Sequence, residues 1–169
     1  MGVRGMLALS IDHSFNRTGY SVIDENKVLR GTGSFELGKM TYENILEFRD
    51  EIRRLVLEYK PTVVVTEKPA HMRNVNIARM LSSLHTEIIL EAIRNNIAYA
   101  IVNPKTVKKH IAGHGSATKE EVMEAMILKY DFDRDMLCFN EMSKKKPLRV
   151  IKTHYDESDS VANAITYLN

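Results

Sequence analysis

Residues 7–24, LALSIDHSFNRTGYSVID, set an acidic residue at the end of an apolar strand and lead into a second strand. Leu7, Leu9 and Ile11 are typical of a buried strand, and Asp12 follows where an apolar residue would be easier to accommodate. A desolvated carboxylate without a partner costs several kcal/mol or gives up its charge. The stretch therefore predicts a partner for Asp12, either elsewhere in the chain or off the protein.

The composition indicates an ordinary globular protein. The chain has 169 residues, of which 44% are hydrophobic and 27% charged, so we expect a single domain over residues 1–169. No apolar run approaches the roughly 20 residues that span a bilayer, and the first apolar stretch is too short for a signal peptide. With one cysteine, Cys138, these features predict a reducing, cytoplasmic location.

Basic residues are clustered although the net charge is only +2. Two segments, 104–119 and 143–152, contain no acid and carry the lysines Lys105, Lys108, Lys109, Lys119, Lys144, Lys145 and Lys146. Such clusters are typical of phosphate binding, but a solvated loop explains a charge run equally well. Both interpretations stay open at this point.

The order of predicted elements indicates an α/β fold. We predict strands at 6–12, 18–25, 27–35, 62–67 and 97–102, and helices at 41–59, 74–95, after Pro104, at 117–130 and at 156–168, with a polar stretch at 131–153. This order predicts a mixed five-stranded sheet, with a three-strand antiparallel meander plus parallel strands, flanked by helices. The 74–95 helix is apolar on more than one face, which either burial or self-association explains.

Four carboxylates occupy the ends of these elements. Asp12 and Glu67 close two strands, while Asp156 and Asp159 share one face of the last helix. Asp156 could instead be an N-cap, and Glu67 an ordinary strand-end residue. Strands one and four are neighbours in many mixed sheets, so the four groups are expected to converge. Two unit charges about 4 Å apart repel by roughly 4 kcal/mol at an effective dielectric of about 20, so the cluster calls for hard cations, of which Mg²⁺ is the usual one.

The sequence resembles the RuvC family of Holliday-junction resolvases, within the RNase H-like superfamily. The resemblance runs through LSIDHSFNRTGYSVID, KPTVVVTEKPAHMRNVNIARML, NPKTVKKHIAGHGSATKEEV and DESDSVANAITYL, and GHGSATKEEV is its most specific segment. It implies a homodimer that nicks opposing strands of a four-way DNA junction with two Mg²⁺ ions per site, Mn²⁺ being able to substitute. Asp12 would bridge both ions, with Glu67, Asp156 and Asp159 completing their shells. Lys108 and Lys119 match family lysines near the scissile phosphate or the DNA backbone, where they would either stabilise developing charge or anchor a phosphate.

Two segments depart from the family pattern: the stretch 131–153, whose KKKP is unlike the usual short linker, and the residues after Glu67. The strand-four Glu is usually followed by an aromatic wedge, whereas this chain has EKPAHMRN, with alanine at position 70. His71 and Met72 are the nearest candidates for stacking, and Arg73 and Asn74 are further candidates for DNA contact. Together these departures predict a looser, more electrostatic grip that extends to branched DNA generally, including three-way junctions and flaps, as in phage-encoded relatives.

Three other functions fit parts of the sequence. An actin-like or sugar-kinase ATPase shares the opening strand and Asp, but its phosphate loop is rich in glycine and it needs two domains. A branched-DNA-binding protein without turnover would retain the fold. An RNase H-type nuclease that cuts RNA–DNA hybrids would use the same four acids. The basic segments and GHGSATKEEV favour the junction endonuclease.

Overall fold

The structure, a computed structural model, describes residues 5–69, 73–142 and 150–169. Its main sheet contains the strands β1 (Leu7–Asp12), β2 (Thr18–Asp24), β3 (Leu29–Phe35), β4 (Val63–Glu67) and β5 (Ala98–Val102). The strand order is β3-β2-β1-β4-β5, in which β1, β2 and β3 are antiparallel neighbours, whereas β4 and β5 run parallel to β1. The predicted fold class is therefore confirmed, and β1 lies at the centre of the sheet.

Helices cover both faces of this sheet. They are α1 (Tyr42–Tyr59), α2 (Val75–Arg94), α3 (Pro104–Ala112), α4 (Lys119–Tyr130) and α5 (Asp156–Tyr167). Side chains alternate across each strand, so Leu9 and Val64 pack with α1 and α2, whereas Ala8 and Val65 pack against α3, α4 and α5. The continuous apolar run in β4 thus fills two cores at once.

Capping interactions define the start of α4, and a left-handed residue before a proline defines the end of α1. Thr118 accepts a hydrogen bond from the backbone of Glu121, and the Glu121 carboxylate accepts one from the backbone of Thr118, which is the predicted capping box. Helix α1 ends where Lys60 adopts a left-handed conformation just before Pro61. Because these signals are local in the sequence, they place both helices within two residues of the prediction.

The segment predicted to be a polar stretch contains more structure than expected. It includes a short 3₁₀ turn (Arg134–Met136) and an antiparallel pair, β6 (Phe139–Met142) and β7 (Val150–His154). These strands are short and rich in polar residues, so their alternation was too weak to predict a hairpin. The lysines Lys144, Lys145 and Lys146 lie outside the described residues.

Candidate active site

Two of the four carboxylates stand side by side at one edge of the sheet. Strands β1 and β4 are parallel and their last paired residues are Ile11 and Thr66, so Asp12 and Glu67 follow at the same level. The imidazole of His13 lies 3.3 Å from the hydroxyl of Thr66 and links the two strand ends. Burial, and then the neighbouring His85, lower the pKa of His13 to about 4, so it is neutral at physiological pH.

Helix α5 brings the other two carboxylates to the same edge. Its first turn carries Asp156 and Asp159, and the helix packs across β1, β2 and β4. Gly19, which pairs with Asp12 in the sheet, permits this approach because a Cβ atom there would collide with the backbone carbonyl of Asp156. Tyr155 is the N-cap residue of α5, so Asp156 is the first helical residue rather than the cap.

Lys119 extends from the start of α4 into this group of acids. Its ammonium donates to the carboxylate of Asp159. Burial opposes its charge, but Asp159, Asp12 and Asp156 together raise the pKa of Lys119 above its ordinary value. In this structure the lysine therefore supplies the positive charge that the carboxylates need.

Two depressions meet at Lys119. The first is a cavity of about 290 Å³, with Asp12, Glu67, Lys108, Lys119, Asp159 and Asn163 in its wall. The second is an open groove of about 500 Å³ that reaches from Lys119 and Asp156 along Asn16, Lys152 and His154. Three of the acids thus face the cavity, whereas Asp156 borders the groove beside it.

Burial and the neighbouring negative charges disfavour the ionised forms of the carboxyl groups in this site. Burial raises the pKa of the Asp12 carboxyl well above its ordinary range, and the charge of Asp159 raises it further. The same two causes, in the same order, raise the pKa of Glu67. Burial also raises the pKa values of Asp156 and Asp159, although Lys119 partly offsets the effect. Clustered carboxylates of this kind attract hard cations.

A metal site is not preformed by the side chains as they stand. Within the described ranges, no set of three or more His, Cys, Asp or Glu side chains is arranged so that it could hold an ion. The physical reason is visible at Lys119, which is paired with Asp159. The chemistry of the donors nevertheless fits, because four hard carboxylates converge where their own charges are disfavoured.

Arg17 organises the acidic start of α5 in a way that the sequence did not predict. Its guanidinium donates to Glu157 at 3.0 Å and lies 3.5 Å from Asp156 and 3.6 Å from Glu36. It also stacks on the ring of Phe139 in β6, 4.9 Å from the ring centre. The Arg17 side chain is only 17% exposed, and it also lines the groove beside Asp156.

The residues predicted to contact DNA are placed differently from one another. Lys108 is partly buried in the cavity wall, whereas Lys105 and Lys109 are exposed on the same helix. Arg73 is exposed, and the side chain of Asn74 caps α2 by accepting hydrogen bonds from Asn76 and Ile77. Ala70, His71 and Met72 lie outside the described residues.

Asn163 is a second residue that sequence reasoning missed. It is buried on α5 and lines the cavity next to Glu67. A signal was available, because it lies four residues after Asp159 and interrupts the apolar face formed by Val161, Ala162 and Ile165. A polar residue at that spacing shares the helix face of Asp159.

Comparison with known proteins identifies the family. A model described as "Crossover junction endodeoxyribonuclease RuvC" matches residues 8–133, well over half of the chain. The chain belongs to the RuvC family. This match includes Asp12, Glu67, Lys108 and Lys119 but stops before α5, so Asp156 and Asp159 join the site through the fold. Membership decides against the ATPase interpretation.

Relatives named Crossover junction endodeoxyribonuclease RuvC extend this result. One, from Prochlorococcus marinus (strain AS9601), is 27% identical over 169 residues and covers 97% of each chain. Another, from Brachyspira hyodysenteriae, is 30% identical over 128 residues, covering 73% of this chain and 80% of its own. The chain is thus similar to RuvC proteins over nearly its full length.

Solved structures share the fold. The T. thermophilus RuvC in complex with a Holliday junction substrate aligns with a TM-score of 0.72 at 17% identity, covering 95% of this chain and 91% of that one. The yeast mitochondrial Holliday junction resolvase Ydc2 aligns with a TM-score of 0.68 at 12% identity, covering 97% of this chain and 78% of that one.

In the described part of the chain, no helix is long and apolar enough to cross a membrane.

Proposed function

We propose that the chain is a metal-dependent endonuclease that resolves Holliday junctions, and cuts other branched DNA, by paired nicks. The observation that carries this proposal is the convergence of Asp12, Glu67, Asp156 and Asp159 around Lys119, in a chain of the RuvC family. The substrate class follows from the T. thermophilus relative, whose structure contains a Holliday junction. The chain would act as one nuclease domain over residues 1–169.

Mg²⁺ is the cation that this donor set fits best, with Mn²⁺ able to substitute. Asp12, Glu67, Asp156 and Asp159 would hold two ions, since hard carboxylate oxygens are the ligands that Mg²⁺ prefers. When bound by these carboxylates, the ions would supply Lewis-acid activation of the phosphodiester and of the attacking water. The carboxylates themselves contribute orientation, because β1, β4 and α5 fix where each oxygen can point.

Lys119 and Lys108 would act on the phosphate. Lys119 borders both the cavity and the groove, so its ammonium can neutralise a phosphate once Asp159 no longer holds it. Lys108 in the cavity wall can stabilise developing negative charge or anchor the backbone. The exposed Lys105 and Lys109, and Lys144, Lys145 and Lys146, would add electrostatic attraction for the DNA arms.

Paired nicking requires two active sites, so we propose a homodimer. The edge strand β5 exposes Tyr99 and Ile101, each nearly half accessible, on the same face of the sheet as α2. The helix adds the exposed Val75 and Ile93. An apolar surface that continues from a helix onto a free sheet edge suits a second copy of the chain, which would cover both.

The cell compartment is part of the proposal. A single cysteine, Cys138, is free in the structure, and nothing in the fold depends on a disulfide among the described residues. We therefore place the enzyme in a reducing cytoplasm, where thiols stay reduced and DNA substrates of this kind arise.

The decisive experiment is a cleavage assay on end-labelled DNA with Mg²⁺. The substrates are a four-way junction, a three-way junction, a flap, a linear duplex and an RNA–DNA hybrid, each tested with the unaltered protein and with Asp12→Asn. Symmetric paired nicks on the four-way junction that vanish in the variant would establish the proposed activity. Binding without cutting in Mg²⁺ and Mn²⁺ would favour the non-catalytic alternative, and preferred cutting of the hybrid would favour an RNase H-type enzyme.

A further inference from the structure

Asn163 carries a buried amide that has no hydrogen-bond partner among the described residues. Its side chain is 1% exposed, and neither its Nδ2 nor its Oδ1 atom is bonded. Its sequence neighbours on α5, Ala162, Ala164 and Ile165, are buried and apolar. Buried polar groups are almost always bonded, and an unpaired amide lowers stability relative to an apolar residue of the same size.

The position of Asn163 in the fold indicates the role of its side-chain amide. Asn163 lies one helical turn after Asp159 and lines the same 290 Å³ cavity as Asp12, Glu67 and Lys119. The hydroxyl of Ser158 on the same helix is also buried and unbonded, but it does not line this cavity. Asn163 therefore combines an unsatisfied polar group with direct access to the carboxylate cluster.

Within the cavity, the amide is close to Glu67. Burial and the charge of Asp159 raise the pKa of the Glu67 carboxyl, while the adjacent Asn163 amide acts in the opposite direction. The two groups stop short of a hydrogen bond in this structure. Rotation of either side chain within the cavity can complete the bond, because both line its wall.

We propose that Asn163 is a positioning residue for Glu67. Its amide would donate to one carboxylate oxygen of Glu67 and leave the other oxygen free to bind a cation. This inference rests on the proposed function, which supplies the cation. Carboxylates that bind metals are commonly held by hydrogen bonds from a second layer of residues, and loss of such a partner typically weakens metal binding by about 10- to 100-fold.

The test is Mn²⁺ binding to the full chain without DNA, measured by isothermal titration calorimetry alongside thermal unfolding. Asn163→Leu preserves side-chain size and should weaken Mn²⁺ binding by about tenfold or more. The same variant should unfold in EDTA at the same temperature as the unaltered protein or higher, because it removes an unpaired buried amide. Ser158→Ala, the matched control, should leave Mn²⁺ affinity unchanged. A lower unfolding temperature for Asn163→Leu together with unchanged Mn²⁺ affinity would mean that Asn163 has only a structural role.

A double-mutant cycle tests the route through Glu67. If Asn163 acts by positioning Glu67, Asn163→Leu should cause less than a twofold further loss of Mn²⁺ affinity in a Glu67→Gln background. Equal losses in both backgrounds would overturn that route. Failure of the unaltered protein to bind Mn²⁺ would overturn the proposed function and this inference together. Normal binding that Asn163→Leu leaves intact would overturn this inference alone.

Discussion

Asp12 lies in an environment that disfavours the ionised form of its carboxyl group. It ends the central strand of the sheet, and its nearest charged neighbours include Asp159, Glu67 and Asp156. Burial and repulsion both disfavour its ionised form, so the folded chain holds a proton on Asp12 more tightly than the unfolded chain does. A cation bound next to Asp12 would lower the free-energy cost of ionising its carboxyl group.

This leads to a prediction about pH and stability in EDTA. Because the pKa of Asp12 is raised on folding, its contribution to stability is largest at low pH. That contribution is lost as pH rises from the ordinary value near 3.8 through the raised folded value. Asp12→Asn cannot titrate, so it should lose less stability than the unaltered protein between about pH 4 and pH 7. Urea unfolding of both proteins across this range measures the difference, and parallel stability curves would contradict it.

At the scale of single residues, the sequence predicted the four carboxylates but not the polar residues beside them, Arg17 and Asn163. Asp12 and Glu67 could be found because each ends an apolar strand, which is a local pattern. Arg17 could not, since its main partner, Glu157, is 140 positions away in the chain. Asn163 was visible as an interruption of an apolar face, but its meaning depends on the cavity that the fold creates.

At the scale of elements, the β6–β7 hairpin is joined to the site by more than one contact. Arg17, in the loop between β1 and β2, joins the start of α5 through Glu157 and the hairpin through Phe139. His154 of β7 also lies 3.9 Å from Asp156. The loop, the hairpin and the helix therefore hold Asp156 as a unit.

Removing Arg17 should destabilise the protein much more than removing an exposed arginine. Arg17→Met leaves Glu157 buried without its partner and should cost about 3 kcal/mol of unfolding free energy. Arg54→Met is the matched control, because Arg54 forms two ion pairs on the solvated face of α1 and should cost less than about 1 kcal/mol. Urea denaturation compares the two variants. Similar losses would mean that Arg17 is a surface charge like any other.

The β6–β7 hairpin was not predicted from the sequence. Long helices and the apolar strands have strong periodicity, so α1 and β4 were predicted to within a residue or two. The hairpin strands have four and five residues, and the segment between them is dominated by lysine. Their order comes from pairing with each other, which a single-sequence pattern does not reveal.

At the scale of the whole molecule, the β5 edge of the sheet is open among the described residues. There β5 is bonded only to β4, and it adjoins the exposed apolar residues of α2. Sequence alone could not separate burial from self-association for α2. The structure shows that its buried face uses Leu84, Ile88 and Ala92, whereas Val75 and Ile93 remain exposed.

We predict that Tyr99→Asp separates the proposed dimer into monomers. A charge at the centre of an apolar contact is disfavoured, so sedimentation equilibrium should show a shift of at least about tenfold in the dissociation constant, corresponding to about 1.4 kcal/mol. Nicks on the two strands of a four-way junction should then become uncoupled. Leu128→Asp is the control, since Leu128 is 85% exposed on α4 on the opposite side of the sheet. Dissociation by both variants, or by neither, would place the interface elsewhere.

The packing of α5 on Gly19 has a consequence for how the protein is made. Asp12 and Glu67 leave the ribosome before Asp156 and Asp159, which lie on α5. Lys119 meets its partner only after that helix docks. A chain synthesised only as far as α4 therefore carries half of the carboxylates, and the proposed nuclease would have its full set of acidic residues only after α5 has been made and has packed on Gly19.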